Sequence, residues 1–240
     1  MKKIIVILLM MGTTFSFAQK QKNKVLVFSK TKGYRHGAIE VGKAAIQELG
    51  QKNNFDVDTT ENAAVFTDEN LKQYKAVIFL NTTGDVLDPI QENVFKNYIK
   101  AGNGYVGIHA AADTEYDWPW YGQLAGAYFK SHPKGLLEAK FVKKDKKSPL
   151  VKNLPDEWTR IDELYNYKNI SDKINVLYAL DESSYVGGEN GDNHPIAWNQ
   201  SYDGGRAFYT GMGHSKECYV DPLFLDHVLQ GIKYAMGAKK

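Results

Sequence analysis

A single cysteine, Cys218, stands in 240 residues. One thiol excludes an internal disulfide framework and any multi-cysteine metal site. An excess of charge is missing too. The formal net charge is +2, and setting aside Lys2 and Lys3 leaves 28 basic residues against 28 acidic ones. No electrostatic footprint for nucleic acid remains. The N-terminal apolar run from Ile4 to Met11 has eight residues, whereas about 30 Å of hydrocarbon needs about 20. No internal repeat, linker or linear motif of the His-Glu-x-x-His kind is present. What is present is an ordinary globular composition, 43% hydrophobic and 24% charged, which excludes a disordered, collagen-like or multispan membrane chain.

The first 18 residues read as an address rather than as structure. Met1-Lys2-Lys3 is cationic, the apolar run follows, and Ser16-Phe17-Ala18 places small residues at the −3 and −1 positions before Gln19. This is the pattern of a secretory signal peptide. The expected organisation is a signal peptide over 1–18 and one domain over 19–240. The mature protein is expected to be soluble, without membrane insertion, and periplasmic or secreted. A lone thiol is compatible with such an oxidising compartment.

Along the mature chain, Lys24 to Ser29 is an apolar run ending in a loop at Lys32-Gly33. Ala38, Val41, Ala45 and Leu49 recur at helical spacing, with Gly50 as a stop. Phe55 to Thr59 alternates as a strand does, and Lys75 to Leu80 is a continuous apolar run. Asp88-Pro89 is an N-cap followed by proline at the first helical position, and Ile90, Val94, Phe95, Tyr98 and Ile99 form that helix's face. Tyr105 to Ile108 is the next strand. The alternation predicts a doubly wound α/β fold with a parallel sheet. Segments 135–142, 160–167, 174–180, 194–198 and 206–210 read as strands, and Phe224, Val228, Ile232 and Ala235 mark a final helix.

Ligands of such sheets gather at the carboxyl ends of the strands, which is where several of the six histidines fall. His36 follows the first strand, His109 ends Tyr105-Val-Gly-Ile-His109, and His214 follows the strand from Arg206. Small residues around His109 suit a strand-to-helix elbow that exposes its apex side chain. Imidazole at that apex suits a metal ligand or a general acid/base. Glu163 and Asp113 are the carboxylates expected to complete a catalytic set with His36, His109 and His214. Asp162 and Glu163 are adjacent on an expected strand and face opposite ways. Arg35 and Arg206 can hold substrate oxygens, or Arg206 can serve an ion pair. Tyr116 to Tyr121 concentrates aromatics, so Trp118 can stack on a sugar face or plug the core; Trp198 carries the same two readings.

Six pieces stand in order along the chain: Gly33-Tyr-Arg-His36, Gly104-Tyr-Val-Gly-Ile-His109, Gly126-Ala-Tyr-Phe129 with His132-Pro133, Asp162-Glu-Leu-Tyr165, His194-Pro-Ile-Ala-Trp198, and Gly205-Arg-Ala-Phe-Tyr-Thr-Gly-Met-Gly-His214. Together they resemble the ThuA-like (trehalose-utilisation) family within the class I glutamine-amidotransferase-like superfamily. The resemblance implies a flavodoxin-like core with extra β elements in the C-terminal half, and a role in carbohydrate metabolism. It brings His132 and His194 into the expected substrate-binding set beside Arg35, Trp118, Trp198 and Arg206. Amidotransferases of this class carry cysteine at the elbow and histidine after a late strand. Here His109 takes the elbow and His214 the second place, so a glutaminase mechanism, which needs an elbow thiolate, is excluded. The expected partner is a small carbohydrate, a glycoside or keto-sugar, transformed by His/Glu acid–base chemistry or with help from a divalent metal. The alternatives are a carbohydrate-binding accessory protein without turnover, and a metal-dependent hydrolase. Expressed with its leader in a Gram-negative host, the protein should be recovered from the periplasm with Gln19 at its N-terminus. N-terminal sequencing checks this, and a chain retained in the cytoplasm with Met1 intact contradicts it.

Overall fold

The structure, a computed structural model, describes residues 22–237; the expected signal segment lies outside them. In chain order the elements are β1 (Asn23–Phe28), α1 (Ile39–Lys52), β2 (Phe55–Thr60), α2 (Asp68–Leu71), β3 (Ala76–Leu80), α3 (Pro89–Lys100) and β4 (Gly104–Ile108). There follow α4 (Pro119–Ala125), β5 (Tyr128–Ser131), β6 (Leu137–Lys143), β7 (Glu157–Asp162), β8 (Asn166–Lys168), β9 (Asn175–Asp181), β10 (His194–Tyr202), β11 (Gly205–Thr210) and α5 (Pro222–Ala235). Nine strands form one sheet in the order β2-β1-β3-β4-β11-β10-β9-β6-β7, and β5 pairs with β8 apart from it. The strands from β2 to β11 are parallel to one another. From β10 onward the pairing is antiparallel.

The parallel half has the flavodoxin-like order, with β11 in the place of a fifth strand. Its central strands are covered on both faces, which is why β3 and β4 are buried at every position and read as unbroken apolar runs. Register puts Phe28, Phe79, Tyr105 and Tyr209 on one face. There they meet Phe66, Phe95 and Tyr121 in edge-on, stacked and tilted contacts. Val106 and Phe208 point to the opposite face, where α5 lies so close that a Cβ on Gly231 would sit 2.3 Å from the Phe208 ring. Asp88 caps α3 in a reciprocal capping box with Gln91, with Pro89 at the first helical position.

Three local expectations shift. The buried residues of α1 are Ile39, Gly42, Ile46, Leu49 and Gly50; of the expected seam Ala38 and Leu49 are buried and Val41 and Ala45 only partly so, because Gly42 lets the helix close on Tyr219. Ile90 is exposed, since the first turn of α3 overhangs the sheet and only Phe95, Tyr98 and Ile99 are buried. Residues 160–167 are not one strand. β7 stops at Asp162, which turns its carboxylate back onto the Glu163 N–H at 3.0 Å, and pairing resumes only at Asn166. Lys143, at the end of β6, is buried and donates to the Leu154 carbonyl at 2.6 Å.

His227 on α5 is fully buried beside Phe208 and Tyr178, with no hydrogen-bond partner for either nitrogen among the described residues. Burial, aided by the charge of Arg160, pushes its pKa down to about 3. The folded state therefore keeps this imidazole neutral while the unfolded chain protonates it below about 6.5. The unfolded state binds more protons between these values, so stability is lost as pH falls through that window. From pH 8 to pH 5 the loss from this group is about 2 kcal/mol. Urea unfolding at the two pH values should show His227→Leu losing less stability than wild type by about that amount, and parallel losses in the two proteins would contradict it.

Candidate functional site

Four adjacent parallel strands, β1, β3, β4 and β11, end on one rim. The loops leaving them are stapled together. Lys32 N–H donates to the Thr83 carbonyl at 2.7 Å, and Asn81 N–H to the Ile108 carbonyl at 3.2 Å. The Thr83 hydroxyl donates to the Tyr34 carbonyl at 2.9 Å and accepts from Gly33 N–H at 3.2 Å. This bracing holds His36 over the β3 and β4 ends.

His109 sits at the elbow with φ +50°, a left-handed conformation costing about 1–3 kcal/mol for a residue with a Cβ. Its surroundings hold it there. The Tyr209 hydroxyl donates to the His109 carbonyl at 2.7 Å, and Nδ1 donates to the Gly211 carbonyl at 2.8 Å. A carbonyl only accepts, so Nδ1 carries a proton and Nε2 is the nitrogen left to face the other side chains. Tyr165 packs on the ring at a centroid distance of 4.2 Å.

Nε2 points into a cluster. It lies 3.2 Å from His214 Nδ1 and 3.3 Å from Glu163 Oε2, and Glu163 Oε2 is 3.0 Å from His214 Nδ1. The His36 ring stands edge-on at centroid distances of 4.9 Å from His109 and 5.0 Å from His214. His132 reaches the other carboxylate oxygen, Oε1, at 3.5 Å and stands at the more exposed mouth. Tyr34 is also exposed and contacts His36 edge-on. Asp113 lies just after the elbow and accepts from the Tyr116 hydroxyl at 2.6 Å.

Opposing influences set the charges. Burial pushes the Glu163 carboxyl up, but hydrogen bonds from His109 and His214 and their charges override it and hold it well below the usual carboxylate range. The hydrogen bond to Glu163 raises His214 above its ordinary value. Burial, then repulsion from His109 and His214, pushes His36 down to about 3. Burial also raises Asp113. The site thus holds an ionised carboxylate and a neutral buried imidazole side by side.

Asp162 is a positioning residue that strand alternation misses. Buried at the end of β7, it accepts from the backbone N–H groups of Gly213 at 3.0 Å and His214 at 3.2 Å as well as from Glu163. One carboxylate thereby fixes the chain on both sides of the cluster. Gly213 has φ +112°, a conformation that favours glycine. Cys218 Sγ donates to Asp162 at 3.3 Å, and burial beside that carboxylate pushes the thiol up to about 11. It is buried structure, not an elbow nucleophile.

Several expected binding residues lie elsewhere. Arg35 is held by Glu61 at 2.7 and 2.9 Å and by Glu40 at 2.9 Å, so its guanidinium is engaged outside the cluster. Arg206 is the second residue of β11, opposite Gly104, at the far end of the strand from His109, and donates to the Tyr234 carbonyl at 3.1 Å. Trp198 is core: it stacks on Tyr209 at 4.3 Å and donates to the Ala125 carbonyl at 2.7 Å. Trp118 stacks on Trp120 and Tyr121 rather than on the histidines. His194 is buried and bridges the Tyr165 carbonyl and Glu182, each at 2.7 Å, so it supports Tyr165 from behind. The aromatics bordering the cluster are Tyr34, Phe129 and Tyr165. Two of these, Tyr34 and Tyr165, lie within two residues of a predicted site residue, but only the fold turns them toward it.

The sequence pattern of the ThuA family, described as trehalose utilisation, matches residues 24–235. The chain belongs to the ThuA family. A ThuA-like protein from Bacteroides uniformis ATCC 8492 is 23% identical, with a TM-score of 0.79 over 95% of this chain and 97% of that one. A second, from Parabacteroides merdae ATCC 43184, is 20% identical, with a TM-score of 0.77 over 91% of each chain. A β-galactosidase from Bacillus circulans sp. alkalophilus shares 14% identity and a TM-score of 0.57 over 90% of this chain but 31% of its own. At these identities the likeness is one of fold. No curated protein matches the chain. Within this ThuA-family fold, the histidines after β1, β4 and β11 converge as the strand-end rule predicts.

Replacing Asp162 with alanine strands three backbone N–H groups beside the buried Arg160 guanidinium. Losses of this kind cost about 3 kcal/mol or more. Urea unfolding of Asp162→Ala at pH 7 should show a loss of that size; wild-type stability would remove Asp162 from its positioning role.

Proposed function

We propose that this ThuA-family protein is an exported enzyme that cleaves or isomerises a glycoside or keto-sugar. The observation that carries the reading is the convergence of His36, His109, His214 and the ionised Glu163 on one rim. The family's trehalose-utilisation description supports a carbohydrate substrate, and Tyr34 at the mouth offers an exposed aromatic face for apolar sugar C–H groups.

The chemistry follows from the two ends of the site. The inner end, where His36, His109 and His214 face one another, receives a substrate carbonyl oxygen, and the imidazolium form of His214, favoured by Glu163, stabilises negative charge on it. A ketone acidifies the adjacent C–H. At the outer end Glu163 Oε1 and His132 lie 3.5 Å apart and serve as the base pair for that proton. Its electron pair becomes the enolate. Collapse of the enolate expels the glycosidic oxygen β to the carbonyl, and the departing alkoxide takes up a proton from the same pair. Reprotonation at carbon without expulsion is an isomerisation using the same groups. A two-carboxylate glycosidase is disfavoured because Glu163 is ringed by imidazoles and Asp113 is engaged by Tyr116.

Assays with keto-glucosides should show turnover that falls at least 100-fold in His109→Ala and in Glu163→Gln, with circular dichroism unchanged. A binding protein without turnover gives the other outcome: sugar binding by calorimetry, no product, and little effect of either substitution.

A further inference from the structure

We infer that His36, His109, Glu163 and His214 form a three-histidine, one-carboxylate site for a divalent first-row transition ion of the zinc type. The assignment stands on ligand geometry and holds whether or not the substrate is a sugar. Each residue offers one donor atom, and the four atoms lie within 4.8 Å of one another. Three of them already form a compact triangle with edges of 3.0, 3.2 and 3.3 Å. Donors about 2.0–2.2 Å from a common zinc ion stand about 2.9–3.4 Å apart across tetrahedral or right-angled positions. The triangle is therefore one face of a coordination shell, and the His36 donor, within 4.8 Å of each of its corners, supplies the fourth.

Hydrogen bonding gives an independent argument. His109 Nδ1 is committed to the Gly211 carbonyl at 2.8 Å, so Nε2 is the nitrogen it offers, 3.3 Å from a carboxylate oxygen. A nitrogen and a carboxylate oxygen at that separation need a positive centre between them, a proton or a metal ion. His214 Nδ1 stands at the same oxygen, and His36 is also buried, with no partner for its Nδ1 among the described residues. A single metal cation takes one donor atom from each of the four residues at once. The outer contacts are those that orient metal ligands: an imidazole N–H held by a backbone carbonyl, and the His214 backbone held by the Asp162 carboxylate.

Imidazole and carboxylate together suit borderline ions, and a lone buried thiol outside the cluster supplies no soft ligand. The carboxylate binds through Oε2, which leaves Oε1 and His132 free at the mouth, where an open coordination position would take water or a substrate oxygen.

The test uses tag-free, full-length protein stripped with a chelator and titrated with cobalt(II) and then zinc(II). Wild type should bind one cobalt per chain with a visible absorption band typical of low-coordinate nitrogen and oxygen ligands, and zinc should displace it. Glu163→Gln and His36→Ala should each weaken zinc affinity at least 10-fold, in proteins whose circular dichroism matches wild type. His109→Ala serves as a third variant if either of these fails to fold. A folded wild type that binds no stoichiometric cobalt or zinc overturns the assignment, as does unchanged affinity in the variants. The readout contains no sugar, so an inactive protein that binds zinc keeps the metal site and loses only the carbohydrate reading.

Discussion

The hydrogen bond from His109 Nδ1 to the Gly211 carbonyl is the constraint on which the site depends. It joins the turn after β4 to the turn after β11, neighbouring parallel strands whose ends advance together in register. It also decides which imidazole nitrogen faces the other side chains and where that nitrogen points. With the ring anchored on one side and covered by Tyr165 on the other, His214 and Glu163 have one small volume to share. The left-handed backbone at His109 is tolerated because the Tyr209 hydroxyl, Gly211 and the packed alanines after it leave the chain little alternative.

A second layer of buried polar groups carries that constraint outward. Asp162 reads three backbone N–H groups on two chain segments, and His194 holds the Tyr165 carbonyl from the antiparallel half of the sheet. Neither touches the cluster centre, yet both place groups that do. A charged group survives burial here because each of its acceptor positions is answered, which is the condition under which such groups are worth keeping. The antiparallel half thus supplies Glu163 and its supports, while the parallel half supplies the histidines.

How much of this is legible from the residues alone depends on the length scale. The doubly wound half announces itself through unbroken apolar runs and a capped helix at Asp88-Pro89, because burial on both faces leaves no other composition for β3 and β4. The strand-end rule is enough to collect His36, His109 and His214. Arg206 lies on a site-forming strand but at its opposite end, where the rule does not point, and the rule is silent on Asp162, whose role rests on backbone groups about fifty residues away. Arg35 neighbours His36 in sequence yet leaves the site because Glu40 and Glu61 compete for it. Trp198 carries an aromatic surface fit for a sugar, and the packing of Tyr167 and Tyr209 around it makes it core instead.

By itself, then, the chain's order of residues determined the alternation of strands and helices, the histidine at the elbow where a cysteine would serve a glutaminase, and the ends of strands on which chemistry had to gather. Those are consequences of periodicity and of the small residues a tight turn demands. Only the tertiary structure decided which groups share the rim, that β7 ends in time to swing Glu163 between His109 and His214, and which His109 nitrogen faces them. Such choices hang on distances of about 3 Å between atoms far apart along the chain, and a hydrogen bond is lost within a fraction of an ångström of that reach.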